Sequence, residues 1–439
     1  MSHATDRVGD SVYIIGAGIV GMCTALYLQR EGFEVTVLDG RGPGEGASGG
    51  NAGSLGIASI PPASLPGVIR RVPRMLLDPQ APLIIRWREL PRLLPWFARF
   101  VRNATPSRVE RIADARARLL ERVHDAYAPL LEDAGAGDLV RRTGKVIAFE
   151  HADGPARNRY TMEMRRRRGV RMEVLDGDAV RRMEPALGPL VRAGVYFPDV
   201  HYVADPLRLV QTFAERFQRL GGRLLKETVT GVEMEAAGPQ AILTTAGRHT
   251  VGRLVLAAGP WSRPLARMVG YRVPMATPFG YHTMLVDTKV RPRLPVMSDD
   301  RNIAVTPMDG AVRITGIAEF AAVDAPADWR RADIALGHVR ALMPDLGGTV
   351  ASRWQGARPS TPDSLPVIGR SPHFSNVFFA FGHDSLGLTM GAVTGRLIAA
   401  ELAGRAPEID MAPYRPDRFD PAWLGLLTCT RPGNMPYRG

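Results

Sequence analysis

The feature that most constrains this chain is a glycine-rich turn between an apolar run and an apolar helical stretch. Val12–Ile15 is short and β-rich, and Gly16, Gly18 and Gly21 follow it at the spacing G-x-G-x-x-G. A helical stretch and a second apolar run then lead to Asp39. A glycine triplet alone is weak evidence, and an ordinary βαβ unit is the alternative. Strand, turn, helix, strand and acid in this order, however, are typical of a unit that binds a dinucleotide.

Each of these residues has a physical task in such a unit. We expect Gly16 to allow a sharp turn, Gly18 to let the backbone approach a pyrophosphate, and Gly21 to let helix and sheet pack closely. The free N–H groups at the start of the helix attract the pyrophosphate. Asp39 can accept hydrogen bonds from a ribose diol. The sequence therefore predicts a dinucleotide site near residue 16.

Bulk composition indicates a globular protein of one large or two ordinary domains. The chain has 439 residues, of which 45% are apolar and 23% charged. No apolar run reaches the ~18 residues of a membrane-spanning helix, and the first eleven residues leave no room for a signal peptide. Two cysteines, Cys23 and Cys429, supply neither a disulfide framework nor a metal cluster, and we expect Cys23 to be a core residue. These features predict a cytoplasmic protein without a metal site.

The formal net charge of +12 raises the question of a nucleic-acid partner. Only three of the 56 basic residues are lysines, at positions 145, 226 and 289. Such a skew towards arginine is typical of a GC-rich coding sequence. The arginines are scattered, and no nucleic-acid-binding module is recognisable. We therefore predict that nucleic acid is not a partner.

One segment combines apolar and basic residues at helical spacing. Its apolar stripe consists of Leu93, Trp96, Phe97, Phe100 and Val101, and Arg92, Arg99 and Arg102 lie off that face. A basic amphipathic helix of this kind can lie on a membrane surface, or its stripe can pack on the core of its own protein. The sequence leaves both open, so contact with the inner face of the cytoplasmic membrane is the alternative to a purely cytoplasmic location.

Along the chain, apolar runs typical of buried parallel strands occur in three separate segments. The two stretches between these segments contain runs that alternate between apolar and polar residues, as antiparallel strands do. Residues 107–133 predict one longer helix, the run Arg165–Arg168 a solvated helix face, and residues 280–320 an antiparallel sheet. We predict an α/β fold, with a Rossmann-like nucleotide-binding domain and an inserted, mostly antiparallel α+β substrate domain. The first domain would comprise residues 9–60, 200–275 and 350–405, the second residues 61–199 and 276–349, and residues 406–439 would form a tail.

Taken together, these stretches resemble the FAD-dependent D-amino-acid oxidase superfamily, and within it the bacterial D-amino-acid dehydrogenase group of the small-subunit type. The resemblance spans nearly the whole chain. It is carried by the Gly16–Asp39 segment, the loop from Ser48 to Gly53, the strand end Val255–Trp261, and the pair Gly356–Pro359 and Gly382–Thr389. It implies that the nucleotide-binding domain binds FAD non-covalently.

The resemblance also implies roles for individual residues. Gly16, Gly18, Gly21 and Asp39 would hold the pyrophosphate and adenosine ribose of FAD. The rest of the cofactor path would be lined by Ser48, Asn51, Ala52, Gly53, Val229, Ala258, Gly259, Trp261, Gly387, Leu388 and Thr389.

Three further residues would serve the substrate. Arg358 would bind its carboxylate, since a guanidinium offers a two-pronged match. His383 would shape the pocket or influence the protonation of the amine, unless it is an ordinary buried histidine. Tyr281 would form part of the pocket wall and bond the carboxylate, unless it is a core residue. The chain departs from the family pattern at Asp384 and Ser385, where the family loop often has Gly-His or Gly-Gly, and this departure affects the identity of the substrate.

The implied activity is FAD-dependent oxidative deamination of D-amino acids, or of cyclic imino acids such as D-proline or hydroxy-D-proline, to imino and keto acids. Electrons would pass to a quinone or another carrier. One alternative is an oxidase of glycine, sarcosine or D-amino acids that uses O2. Another is the flavoprotein subunit of a hetero-oligomeric amine-oxidising complex, which would add a partner subunit to the small-molecule substrate and the electron acceptor.

Overall fold

The computed structural model describes residues 11–68, 83–322 and 325–419 of the 439. Several sequence-based expectations lie outside the described residues. They concern Cys429, residues 9–10 of the expected first domain, the polar residues before Ser11, and the part of the expected tail after residue 419.

Twenty-one strands and eleven α-helices are assigned within the described residues. The strands are β1 Ser11–Ile15, β2 Glu34–Leu38, β3 Ser54–Leu55, β4 Leu83–Ile85, β5 Val140–Arg141, β6 Lys145–Phe149, β7 Glu173–Asp176, β8 Ala193–Phe197, β9 His201–Val203, β10 Arg223–Leu225, β11 Val229–Glu235, β12 Gly238–Thr244, β13 Arg248–Thr250, β14 Arg253–Leu256, β15 Phe279–Thr288, β16 Val296–Ser298, β17 Ile303–Met308, β18 Ala311–Phe320, β19 Gly347–Ala357, β20 Val367–Arg370 and β21 Val377–Phe381. The helices are α1 Ile19–Arg30, α2 Leu90–Arg102, α3 Pro106–Leu120, α4 Val123–Ala134, α5 Gly154–Arg157, α6 Arg159–Arg166, α7 Gly177–Met183, α8 Pro206–Arg219, α9 Ser262–Met268, α10 Arg330–Leu342 and α11 Gly387–Leu402.

A six-stranded, mostly parallel sheet has the order β10-β2-β1-β14-β21-β20. The first five strands run parallel, and β20 pairs antiparallel with β21. Helices α1 and α11 pack together beside the sheet, with Gly395 so close to the backbone of Cys23 that a side chain at 395 would meet it at 2.7 Å. Cys23 is fully buried there, as expected. The predicted Rossmann-like α/β fold is confirmed, whereas the domain boundaries stay a prediction.

The second large sheet is mostly antiparallel. Its order is β19-β15-β18-β17-β16-β6-β8-β7, with β4 added beside β18. The antiparallel pairing of β15, β17 and β18 confirms the prediction for residues 280–320. Apolar residues of this sheet and of α10 form a core separate from that of the parallel sheet.

Two local expectations were wrong. Residues 107–133 form two helices, because the chain turns at Glu121 and Arg122 between α3 and α4, and Arg122 leaves helical geometry. The run Arg165–Arg168 is not a uniformly solvated face. Arg165 is half-buried and donates to the carbonyl of Ala58, and Arg168 forms an ion pair with Glu110.

The amphipathic segment at residues 90–102 is helix α2. Trp96 is buried and donates from its Nε1 to the carbonyl of Ser360 at 3.1 Å. The stripe residues Leu93, Phe97 and Phe100 pack with it against Ile85 and Phe320, so these residues serve the core of the protein. Val101, in contrast, is exposed. Within the residues described here, no helix has both the length and the apolar character needed to cross a bilayer.

Candidate active site

A cavity of about 930 Å³ lies between the two large sheets. On one side it is bounded by the carboxyl ends of parallel strands. Ile15, Leu38 and Leu256 are paired in register on β1, β2 and β14, so the residues that follow these strands meet at one edge of the sheet. In open α/β sheets, ligands bind at this edge. The size of the cavity is within the range of cofactor and ligand sites.

The glycine turn follows β1 at this edge, and its three glycines differ in their surroundings. Gly16 has a φ of +114°, and a Cβ there would lie 2.5 Å from the carbonyl oxygen of Ala257. A Cβ at Gly21 would overlap the carbonyl oxygen of Gly16, because α1 packs directly on the turn. A Cβ at Gly18 would meet only the hydroxyl of Ser48 at 3.2 Å. Gly16 and Gly21 are therefore required by packing, and Gly18 keeps the cavity open.

The start of α1 is suited to an anion. Its N-cap is Gly18, which has no side chain to satisfy the helix N–H groups, and no acidic residue lies in the first turn. Ser48 Oγ accepts from the N–H of Ile19 at 3.0 Å. Asp39 accepts from the N–H groups of Ala17 and Arg41, at 2.8 Å each, which holds its carboxylate at the end of β2. The remaining N–H groups and the positive end of the helix dipole fit a pyrophosphate.

The glycine-rich loop after Ser48 is held in place by side chains of the antiparallel sheet. Arg313 on β18 donates to the carbonyls of Gly49 and Asn51. His282 on β15 donates from Nδ1 to the carbonyl of Gly50 at 3.1 Å, and burial lowers the pKa of this histidine to about 4. The loop thus lies against the cavity in a fixed conformation. Sequence reasoning missed Arg313 and His282 as residues that position this loop.

Most residues expected at the cofactor line the cavity. These are Gly16, Gly18, Asp39, Ser48, Asn51, Ala52, Val229, Ala258, Gly259, Trp261, Gly387 and Leu388. The guanidinium of Arg41 stacks over the ring of Trp261 at 4.7 Å, so the loop after β2 touches the turn after β14 beside the cavity. Val229, on β11, comes from neither large sheet.

Three of the expected cofactor residues lie behind the cavity surface. Gly21 packs against Gly16, and Gly53 has a φ of +81° with the carbonyl of Val203 2.6 Å from the position of a Cβ. Thr389 donates to the carbonyl of Ser54 at 3.0 Å and accepts from the N–H of Gly56 at 3.1 Å. These residues support the segments that line the cavity, and their direct contact with the cofactor stays a prediction.

Arg358 follows the last residue of β19 and borders the cavity. Its N–H donates to the carbonyl of Pro278 at 2.8 Å, and its guanidinium lies over Gly280, where any side chain would overlap it. Burial lowers the pKa of Arg358 from its usual range, and the carboxylate of Asp384 opposes this shift. Among the residues that the structure describes, none accepts a hydrogen bond from the guanidinium or forms an ion pair with it. Arg358 therefore presents unused donors to the cavity.

His383 borders the same part of the cavity but is already satisfied. It is buried, and its Nε2 lies 2.9 Å from the hydroxyl of Thr394 on α11. Burial lowers its pKa to about 3, so the ring is neutral near neutral pH. His383 can shape the cavity, but it is not a cation there.

Tyr281 also borders the cavity, but its hydroxyl has three protein partners. It donates to Glu319 at 2.5 Å and accepts from the N–H of Asp328 and from Nε2 of Gln355, each at 3.2 Å. A phenol has one hydrogen to donate, and here Glu319 receives it. Burial, together with this bond, raises the pKa of Tyr281 to about 12. In this conformation Tyr281 has no donor left for a substrate carboxylate, contrary to the expectation.

The cavity contains further residues that were not assigned a role from the sequence. The indole of Trp354 stacks on His282 with centroids 5.1 Å apart, and Gly50 and Gly356 are each too close to that indole to carry a side chain. Asp384 borders the cavity next to His383. Neither a tryptophan on a strand nor the glycines packed against it in the fold can be recognised as cavity residues from the sequence.

Comparisons with known proteins show the family of this chain. Residues 11–401 match the family model described as FAD dependent oxidoreductase. A D-amino-acid oxidase from Bradyrhizobium diazoefficiens is 37% identical over 418 residues, which cover 94% of this chain and 99% of the relative. A D-amino acid dehydrogenase from Chromohalobacter salexigens is 30% identical over 410 residues, or 91% of this chain and 97% of the relative.

Solved structures show the same fold. Glycine oxidase from Geobacillus kaustophilus superposes with a TM-score of 0.74 at 20% identity, over 93% of this chain and 98% of the other. L-proline dehydrogenase from P. horikoshii gives a TM-score of 0.71 at 20% identity, over 94% and 98%. With the extended cavity, the anion-binding helix end and the family match over nearly the whole length, the chain belongs to the FAD-dependent oxidoreductases and uses FAD as its cofactor.

Proposed function

We propose that this protein oxidises D-amino acids or cyclic imino acids of the D-proline type to imino acids, which hydrolyse to keto acids. The observation that carries the proposal is the guanidinium of Arg358, which is half-buried, open to the cavity and without a described partner. A planar guanidinium matches a carboxylate with two parallel hydrogen bonds. When bound, FAD supplies the redox chemistry by accepting two electrons from the carbon that bears the amine.

The residues of the chain would bind and orient the two molecules. Gly18, Ser48 and the start of α1 would hold the pyrophosphate, and Asp39 the adenosine ribose. Arg358 would fix the substrate carboxylate, with Gly280 leaving room for the guanidinium. His383, neutral and bonded to Thr394, would form an uncharged part of the pocket wall. The D-configuration rests on the names of the relatives, which are a D-amino-acid oxidase and a D-amino acid dehydrogenase.

Two electron acceptors deserve to be tested, a quinone or other carrier and O2. The second is favoured by the relative at 37% identity, which is an oxidase, whereas the dehydrogenase relative is 30% identical. A partner subunit is a further alternative for the delivery of electrons. The experiment is a screen of D- and L-alanine, D- and L-proline, glycine and sarcosine, with dye reduction measured without oxygen and peroxide formation with oxygen.

We expect D-alanine or D-proline to reduce the dye, and the peroxide yield to distinguish the two acceptors. Reduction by the L-enantiomers alone would contradict the stereochemical part of the proposal. Absence of reduction with every compound, by protein that shows a flavin spectrum, would refute the function as a whole. Activity that appears only after addition of a cell extract would support a partner subunit.

We further propose that the exposed side of α2 and the turn before it contacts anionic lipid, where a quinone acceptor would be at hand. Trp87 and Leu94 are 64% and 55% exposed. Exposed arginines lie on the same helix and turn, at positions 88, 92, 99 and 102. Aromatic and aliphatic side chains flanked by basic residues suit a negatively charged bilayer surface.

This contact can be tested by sedimentation with vesicles that contain phosphatidylcholine alone or with phosphatidylglycerol. Each arginine near such a surface contributes about 1 kcal/mol, so Arg99→Glu should weaken binding to the anionic vesicles at least about fivefold. Arg219→Glu, at an exposed position on α8, makes the same change of charge and should bind as the wild type does. Equal effects of the two substitutions, or no binding by the wild type, would refute the contact.

A further inference from the structure

A second charged side chain lies next to Arg358 in the cavity. His383 and Ser360 form an isolated β-bridge, and the N–H of Asp384 donates to the carbonyl of Pro359 at 2.9 Å. This bridge holds Arg358 and Asp384 on two neighbouring segments, and both side chains border the cavity. A cation and an anion are therefore presented from one part of its surface.

The two charges do not neutralise each other by direct contact. Among the described residues, no ion pair joins Asp384 to Arg358 or to Arg116. Burial raises the pKa of this carboxyl, and the two arginines are near enough to reduce that rise. The guanidinium of Arg116 donates hydrogen bonds to the carbonyls of Ser59 and Ser364. The carboxylate of Asp384 has no side-chain donor in the described part of the chain, and the backbone N–H of Ser385 is near enough to lower its pKa. It keeps acceptor capacity for a ligand.

The backbone conformation of Asp384 also bears on the role of its side chain. Its φ is +51°, in the left-handed region that glycine adopts freely and other residues adopt at some cost in free energy. Because the bridge to residues 359–360 fixes this conformation, glycine would suit the position better. Aspartate tolerates this region better than most residues do, and here it brings a carboxylate to the cavity, which fits a role in binding a ligand.

We propose that Asp384 binds the amino group of the substrate while Arg358 binds its carboxylate, so that the two residues together select amino-acid zwitterions. The two charged groups of an α-amino acid are joined through a single carbon atom. An anion and a cation side by side, as residues 384 and 358 are, can therefore bind both groups at once. This inference rests on the proposed function and adds to it a residue that determines specificity.

The test compares two ligands that differ only in the amino group, D-alanine and propanoate. In Asp384→Asn we expect kcat/KM for D-alanine to fall roughly 10- to 100-fold, the loss of a charge-assisted hydrogen bond. The inhibition constant of propanoate should stay the same or improve, because a negative charge beside the carboxylate site has been removed. Arg358→Met, in contrast, should weaken both ligands.

Asp384→Gly is the second variant, since it relaxes the backbone. We expect a higher melting temperature than in the wild type and the same selective loss for D-alanine. Equal changes for the two ligands, no change for either, or loss of bound flavin in both variants would overturn the inference. If the wild type turned over no amino acid or imino acid, the proposed function itself would fail. A wild type that oxidises D-alanine with variants that do not discriminate would refute only the role of Asp384.

Discussion

The substitution Arg358→Met tests the proposed function most directly. Methionine keeps much of the alkyl length and removes the charge and all five donors. Arg358 pairs with no described residue, so the substitution leaves no protein carboxylate without a contact partner, although Asp384 loses a nearby positive charge. The expected effect is therefore concentrated on the substrate.

The size of this effect follows from the burial of the guanidinium. Removing one partner of a buried, hydrogen-bonded charge pair costs about 2–5 kcal/mol. At about 1.4 kcal/mol for each factor of ten, kcat/KM should fall by about 30-fold to several thousand-fold. Arg358→Lys keeps the charge but not the planar fork, so we expect an intermediate loss. Arg219→Met, on the exposed side of α8, is the control and should have no effect.

The measurement is steady-state dye reduction with the best substrate, together with the visible spectrum of the bound flavin. The spectrum must stay that of the wild type, because Arg358 is proposed to bind substrate and not FAD. A value of kcat/KM within about threefold of the wild type, with flavin bound, would refute the assignment of Arg358 as the carboxylate site. Loss of flavin would instead assign Arg358 to the cofactor.

Other positions give further expected outcomes. Gly18→Val should give folded, colourless protein, whereas Gly16→Val should not fold. Of the two positions, only at Gly16 would a side chain meet backbone, at 2.5 Å, in a left-handed conformation. Circular dichroism and flavin absorbance distinguish the two outcomes. Thr389→Val should lower the free energy of unfolding by about 1–3 kcal/mol, because the carbonyl of Ser54 and the N–H of Gly56 lose their partner, and urea unfolding measures this. His383 has a pKa of about 3 when folded and an ordinary one of about 6.5 when unfolded. The unfolded chain therefore takes up a proton first, stability is lost as the pH falls from about 6.5 towards 3, and His383→Gln should lose less stability over that range in thermal unfolding.

Features that depend on neighbouring residues could be predicted from the sequence. The glycine turn, Asp39 and the flanking strands are encoded within 28 consecutive residues, and the structure brings them together at one edge of the sheet. Strand β6, Lys145–Phe149, begins one residue before its apolar run and ends with it. The break between α3 and α4 had no such signal, because Glu121 and Arg122 are good helix formers and only packing decides where the first helix ends.

Features that depend on side-chain direction could not be predicted. Thr389 is part of a recognisable loop, but it lies on the face of α11 that bonds β3 and not on the face towards the cavity. Tyr281 borders the cavity, yet its partner Glu319 is 38 residues away and is brought close by the pairing of β15 with β18. A tyrosine hydroxyl that is expected from the sequence to bind a ligand can thus have its hydrogen bonds taken up by protein groups in the fold.

The position of Arg358 shows how a site of this kind depends on register. Gly280 on β15 lies opposite Gly356 on β19, two residues before Arg358, and an irregularity in the pairing of β15 with β18 follows Gly280 directly. Side chains alternate between the faces of a sheet, so a shift of one residue would reverse the face of every side chain on β19. The two glycines remove side chains where the indole of Trp354 and the guanidinium of Arg358 need space. The sequence can name an arginine, but the sheet register and the glycines opposite it decide whether that arginine reaches the cavity.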